Sequence, residues 1–234
     1  MALTRRSELP WPGARSEWIV LRVEPTDIVI RARDLGARTR RGWIYEGVTC
    51  TLREGDVGAI TGPAGSGRTS LLLAIAGRMP FSTGSLVVCG AHLPDDVKSV
   101  RATVAVARAG GVAELEPDLR VRDHIVERAG GQREALFDKA CGRLGLAVDG
   151  DLLAGDLTAF QGTLLTIALA LLEEPGVVVL DDVDRGLSGA QQSEIWQRIR
   201  TLTEDGVTVL ATTTDPAPAQ GWADVITDIT AGAA

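Results

Sequence analysis

The sequence predicts an α/β fold with a parallel sheet at its centre and a helical insertion. Three observations carry this. Val177-Val-Val-Leu180 is a fully apolar strand ending in acids, the pattern of a strand buried on both faces of a parallel sheet. Strand-like and helix-like stretches alternate along most of the chain. Residues 110–156 break that alternation with two helical stretches in succession.

The elements follow in order. Residues 1–25 hold Pro10, Pro12, Gly13, Pro25, Trp11 and Trp18 without a period of 2 or 3.6, and read as an extension that packs on the body or on a partner. Asp27–Arg33 alternates like a strand, and Val48–Leu52 is a second strand closed by Glu54-Gly-Asp56. Val57–Thr61 is a short strand that ends in glycines. Ser70–Ala76, apolar all round, is a buried helix. Leu86–Cys89 and Val104–Ala107 are strands. Val121–Ala129 and Arg133–Leu144 are helices separated by Gly130-Gly131, and Leu164–Leu172 is a further buried helix. Ser188-Gly-Ala-Gln191 fits a capping box that opens a helix whose Ile195, Ile199 and Leu202 share a face. Val207–Leu210 and Val225–Ile229 are the last strands.

Of the 234 residues, 45% are hydrophobic and 24% charged, enough apolar material for a core and too much for a disordered or fibrous chain. The net charge of −7 argues against a nucleic-acid partner, since phosphate-backbone binders carry the opposite sign. No apolar run approaches the roughly 20 residues of a membrane span, and the amino terminus lacks a signal-peptide core, so an intracellular protein is expected. Cys50, Cys89 and Cys141, an odd count without paired spacing, are expected as small core residues. His92 and His124 read as surface or structural. Lys98 and Lys139 are the only lysines, so arginine stands in many basic positions.

Gly62-Pro63-Ala64-Gly65-Ser66-Gly67-Arg68-Thr69 matches the phosphate-binding loop Gly-x4-Gly-Lys-[Ser/Thr] except at position 68. A strand precedes it and a helix follows, the context in which backbone N–H groups and the helix dipole converge on an anion. Downstream, Asp181-Asp182 ends a buried strand. A carboxylate there can hold Mg²⁺ through water, with Thr69 as hydroxyl ligand.

Over residues 26–230 the chain resembles the nucleotide-binding subunit of ATP-binding-cassette (ABC) transporters, a P-loop NTPase. Leu157-Thr-Ala-Phe-Gln161 stands at the place of the family's Leu-Ser-Gly-Gly-Gln signature. Ala168–Pro175 looks like the helix and turn after it, Arg185-Gly-Leu-Ser188 like the D-loop, and Leu210–Asp215 like the strand that ends in Thr-His-Asp. The resemblance implies an ATP-binding core over 26–109 and 157–234, with a mainly parallel sheet and an N-terminal antiparallel β part, and a helical subdomain over 110–156. It also implies ATP and Mg²⁺ as ligands and a membrane permease on a separate chain. The subunit would form a homodimer or a heterodimer with another ATP-binding subunit, peripheral at the inner face of the cell membrane.

By the same resemblance, Gly62 through Thr69 together with Ser70 cradle phosphate, and Thr69 and Asp181 hold Mg²⁺. Asp182 and Arg68 act in catalysis, while Thr158 and Gln161 face the partner's nucleotide. The departures imply slow or absent hydrolysis, and leave as the alternative a non-catalytic ABC-type module that scaffolds or regulates a partner, with or without nucleotide bound. Arg68 replaces a lysine with a larger planar fork. Asp182 replaces a glutamate with a side chain one methylene shorter, and a displacement of about 1 Å can cost on the order of 100-fold in rate. Thr214 replaces the γ-phosphate histidine, and Arg108 is the nearest residue to a missing glutamine. Ala159 and Phe160 replace signature glycines, so a steric clash with the partner's phosphate is expected at Phe160. Arg38–Arg41, Trp43 and Tyr45 are candidates for stacking on a base.

Overall fold

The computed structural model describes residues 27–129 and 134–229; the expected extension over 1–25, with Trp11 and Trp18, and the Gly130-Gly131 break lie outside them. Two sheets form the frame. The first is antiparallel, with β1 (Ile28–Thr39) between β2 (Gly42–Arg53) and β4 (Thr83–Val88), and β5 (Ala91–Leu93) at its edge. The second runs in the order β6 (Val104–Arg108), β7 (Val177–Leu180), β8 (Thr208–Thr213), β3 (Val57–Thr61) and β9 (Val225–Asp228). Every pair in it is parallel.

The side chains of the parallel strands alternate between two cores, as a period of 2 requires. Val57, Ala59, Val178 and Leu180 face one core, built with α3 (Val121–Ala129), α4 (Glu134–Leu144), α5 (Ala159–Leu171) and α6 (Gly189–Leu202). Ile60, Val177 and Val179 face the other, with α1 (Arg68–Ile75) and the antiparallel sheet. Leu71, Leu72 and Ile75 of α1 are fully buried there, which explains a helix apolar all round. Among the described residues no helix is long and apolar enough to cross a membrane.

Several expectations change. The buried helix expected from Leu164 starts at Ala159, because Thr158 and Gln161 form a capping box around a polar first turn. β5 and α2 (Val97–Thr103) were not anticipated; a three-residue strand and a two-turn helix leave almost no periodic signal. Cys50 is buried as expected, but Cys89 is exposed: it occupies left-handed backbone, φ 49°, where the chain turns from β4 into β5. His124 is buried beside the carbonyl of Glu116, a structural placement.

Candidate functional site

The 62–69 loop leaves β3 and enters α1 at the carboxyl ends of the parallel strands, where α/β sheets bind ligands. Its glycines are required. A Cβ on Gly62 would lie 2.2 Å from the Ile229 carbonyl oxygen, and one on Gly67 2.5 Å from that of Ile44. Gly67 is also the N-cap of α1, in left-handed backbone (φ 91°), and no side chain caps the helix. The first-turn N–H groups are therefore free of a capping acceptor, the arrangement that receives an anion.

Two polar atoms in the loop reinforce this. Among the described residues Ser66 Oγ and Arg68 Nη1 are buried without a hydrogen-bond partner, which is costly unless a ligand supplies one. Arg68 lies low in the loop with its side chain 8% exposed, and its Nη2 pairs with Asp182 at 3.1 Å.

The structure brings Thr69 and Asp181 together: the Thr69 hydroxyl donates to Asp181 Oδ2 at 2.7 Å. Asp181 Oδ1 accepts from the Thr212 hydroxyl at 2.6 Å, so both carboxylate oxygens of this buried side chain are held. This donor set fits a magnesium ion bound by one hydroxyl and one carboxylate, with phosphate and water completing its shell. No group of three His, Cys, Asp or Glu side chains that could hold a metal occurs among the described residues, so an all-protein cage is not offered.

Asp182 follows in left-handed backbone, φ 45°, unusual for a residue with a side chain. Its N–H donates to Thr212 Oγ1 at 2.8 Å, and its carbonyl accepts from Arg108 Nη2. Burial and the adjacent Asp181 push its carboxyl above the usual range, against the pull of Arg68. Arg108 also donates to the Asp181 carbonyl at 3.2 Å and to Thr163 Oγ1 at 3.0 Å. It therefore ties the Asp181-Asp182 turn to α5. Burial and then Arg185 draw its pKa down, while Asp182, Asp181 and Asp184 oppose them. Asp184 completes the cluster: its Oδ2 accepts from the Thr214 N–H at 2.9 Å, the Thr213 hydroxyl at 3.1 Å and the Thr214 hydroxyl. Burial works against its ionisation, but these bonds win and hold its carboxyl below the usual value.

Sequence reasoning found the loop, Thr69, Asp181 and Asp182. It did not give Thr212, Thr213 or Asp184 a role, and it noted Arg108 without its bonds. The only signal for them was polar residues at strand ends.

Thr158 and Gln161 sit apart in role. The Thr158 hydroxyl and the Gln161 N–H and side chain satisfy each other at the start of α5, and Thr158 is exposed. Phe160 is half-buried and packs toward the helical core, so its ring is accommodated within the chain. Of the candidates for stacking, Tyr45 is fully buried, whereas Arg38 lies over the Trp43 ring, 5.5 Å from its centroid.

Residues 45–184 match the sequence model described as ABC transporter. The Nod factor export ATP-binding protein I of Ralstonia nicotianae is 30% identical over 186 residues, 76% of this chain and 57% of that protein. Its counterpart in Burkholderia lata is 28% identical over 176 residues, 73% of this chain and 57% of that protein. The chain thus spans under two thirds of the length of these curated relatives. Among solved structures, cbiO1 from Clostridium perfringens, part of the ABC transporter complex cbiONQ, superposes with TM-score 0.73 at 20% identity, covering 87% of each chain. A dimeric bacterial ABC transporter cassette gives TM-score 0.72 at 20% identity, covering 87% of this chain and 95% of the other. These structural likenesses establish the fold, that of an ABC transporter cassette.

Proposed function

The chain belongs to the ABC transporter family, and from that premise we propose that it is an ATP-binding subunit that couples Mg-ATP to a membrane permease on a separate chain, with slow hydrolysis. The observation that carries the reading is the uncapped start of α1 with the Thr69–Asp181 pair beneath it, 2.7 Å apart. Residues 62–70 would receive the phosphates on backbone N–H groups. Thr69 and Asp181 would hold Mg²⁺, which when bound neutralises charge on the β- and γ-phosphates. Asp182 would orient the attacking water, and Arg68 would contact the transferred phosphate.

Membership of the family supports our reading of the rest of the arrangement. Residues 26–109 and 157–234 form the ATP-binding core and 110–156 the helical subdomain. The subunit works as a homodimer or heterodimer, peripheral at the inner membrane face. The relatives are named for export, which favours an exporter here. In such a dimer each composite site uses one subunit's phosphate loop and the other's signature. This chain departs from the family in both halves, so every site of any dimer containing it is weakened.

A second reading, a non-catalytic module that scaffolds or regulates its partner, is favoured by one observation: Arg68 already pairs with Asp182 inside the loop. Turnover of the purified chain separates slow catalysis from fast. We expect less than about 0.1 per second, a typical enzyme rate reduced about 100-fold by misplacement. Several turnovers per second would contradict impaired hydrolysis. An increase on Arg68→Lys with Asp182→Glu supports a damaged ATPase; no increase favours the non-catalytic module.

A further inference from the structure

Arg68 and Asp182, two of the departures from the family pattern, are in contact. The arginine is longer than a lysine and the aspartate shorter than a glutamate, and the pair closes at 3.1 Å between Nη2 and Oδ1. We propose that Asp182 is the resident counter-ion of Arg68 and that a terminal phosphate binds by taking its place, so that residue 182 sets the anion affinity of the loop. The proposal rests on the reading of residues 62–69 as an ATP-phosphate site.

The geometry favours exchange over a permanent pair. The Arg68 side chain is 8% exposed and stays in the loop, whereas that of Asp182 is 43% exposed and can turn into water. The contacts of Asp182 with Thr212 and Arg108 run through its N–H and carbonyl, so the carboxylate can leave Arg68 without releasing them. Asp182 satisfies one arm of the guanidinium and leaves buried Nη1 without a partner. A phosphate oxygen offers acceptors to both arms, and the planar fork of arginine is suited to two-point contact with phosphate. Ser66 Oγ of the same loop is likewise buried without a partner among the described residues. Exchange therefore satisfies a group that the Asp182 pair leaves unsatisfied.

The test is equilibrium titration of the full chain with Mg²⁺ and the non-hydrolysable analogue AMP-PNP, which removes any contribution from trapped substrate. Four forms are compared: the unaltered chain, Asp182→Asn, Arg68→Lys and the double variant, each checked for folding by its thermal melt. Asp182→Asn is expected to bind about tenfold tighter, the scale of one charge-assisted hydrogen bond no longer competed for. In the Arg68→Lys background the gain should fall to less than about threefold, because the shorter lysine does not close the pair with the short Asp182 side chain. No gain, or an equal gain in both backgrounds, overturns the exchange, since simple removal of negative charge would act regardless of residue 68. Binding by Asp182→Asn where the unaltered chain shows none would be the strongest support. If no form binds at millimolar analogue, the phosphate-site reading falls and the exchange falls with it. That outcome is distinct from binding without a gain.

Discussion

The loop at 62–69 and the segment at 157–161 both deliver the chain into a helix, but one helix starts without a capping side chain and the other with a complete capping box. At α1 the N-cap is a left-handed glycine, and buried Ser66 Oγ and Arg68 Nη1 lack partners. At α5 the Thr158 hydroxyl and the Gln161 side chain already serve the first turn. The difference teaches how a half-site can be read from one subunit. Unsatisfied donors at α1 call for a ligand, whereas an anion arriving at α5 must compete with a bond already made.

The comparison can be broken most strongly at its glycines. Gly67→Ala combines φ 91° with a Cβ 2.5 Å from the Ile44 carbonyl oxygen. It should cost about 3 kcal/mol in a urea unfolding titration. Gly65→Ala, at φ 80° with nothing within 4 Å, is the control. It should cost only the left-handed penalty of about 1 kcal/mol. Equal losses at the two positions would remove close approach as the reason for the glycine loop.

Arg108 links the two regions, since it holds the carbonyls of Asp181 and Asp182 on one side and Thr163 of α5 on the other. Arg108→Gln should cost about 2 kcal/mol, and Arg108→Lys should recover little, because an ammonium cannot span three acceptors in one plane. Full recovery by lysine would reduce Arg108 to a generic charge. At α5 itself, Thr158→Ala should cost about 1 kcal/mol, as should Ser188→Ala at the equivalent box of α6. A much larger loss at Thr158 would mean that its side chain does more than cap.

The smallest effect concerns pH. The Asp184 carboxyl is held below its ordinary value by Thr213 and Thr214, so its stabilisation is present above the unfolded pKa near 4. It is lost as pH falls through the lower folded value. Asp184→Asn should therefore lower stability at neutral pH and flatten the acid limb below about pH 4, where the stabilisation it removes is already being lost. An unchanged acid limb would show that the three bonds do not favour the charged form.

The sequence was most informative where the chemistry is contiguous. Eight consecutive residues carry the glycine-rich loop, and the apolar run 177–180 with its terminal acids marks a strand buried in the parallel sheet, so both were legible, whereas the order of the strands, with β8 between β7 and β3, was not. The start of α5 was misplaced by five residues because the expected helix was anchored on apolar Leu164, while its first turn is polar and fixed by Thr158 and Gln161. The length of β1 was also hidden, since register shifts between Ala32 and Arg38 break its alternation. Arg108, Thr212 and Asp184 reach their partners across 74, 31 and 30 positions. No local pattern announces such pairings; they follow from the parallel sheet that sets β6, β7 and β8 side by side.

The central claim is that the loop with Thr69 and Asp181 is a nucleotide half-site that holds Mg-ATP before any partner joins it. Equilibrium titration of the purified chain with ATP, with and without Mg²⁺, tests it most directly, with Asp181→Asn as control. The account predicts micromolar binding that requires Mg²⁺ and is lost in Asp181→Asn. No binding at millimolar ATP, or equal binding without Mg²⁺ and in the variant, would contradict it.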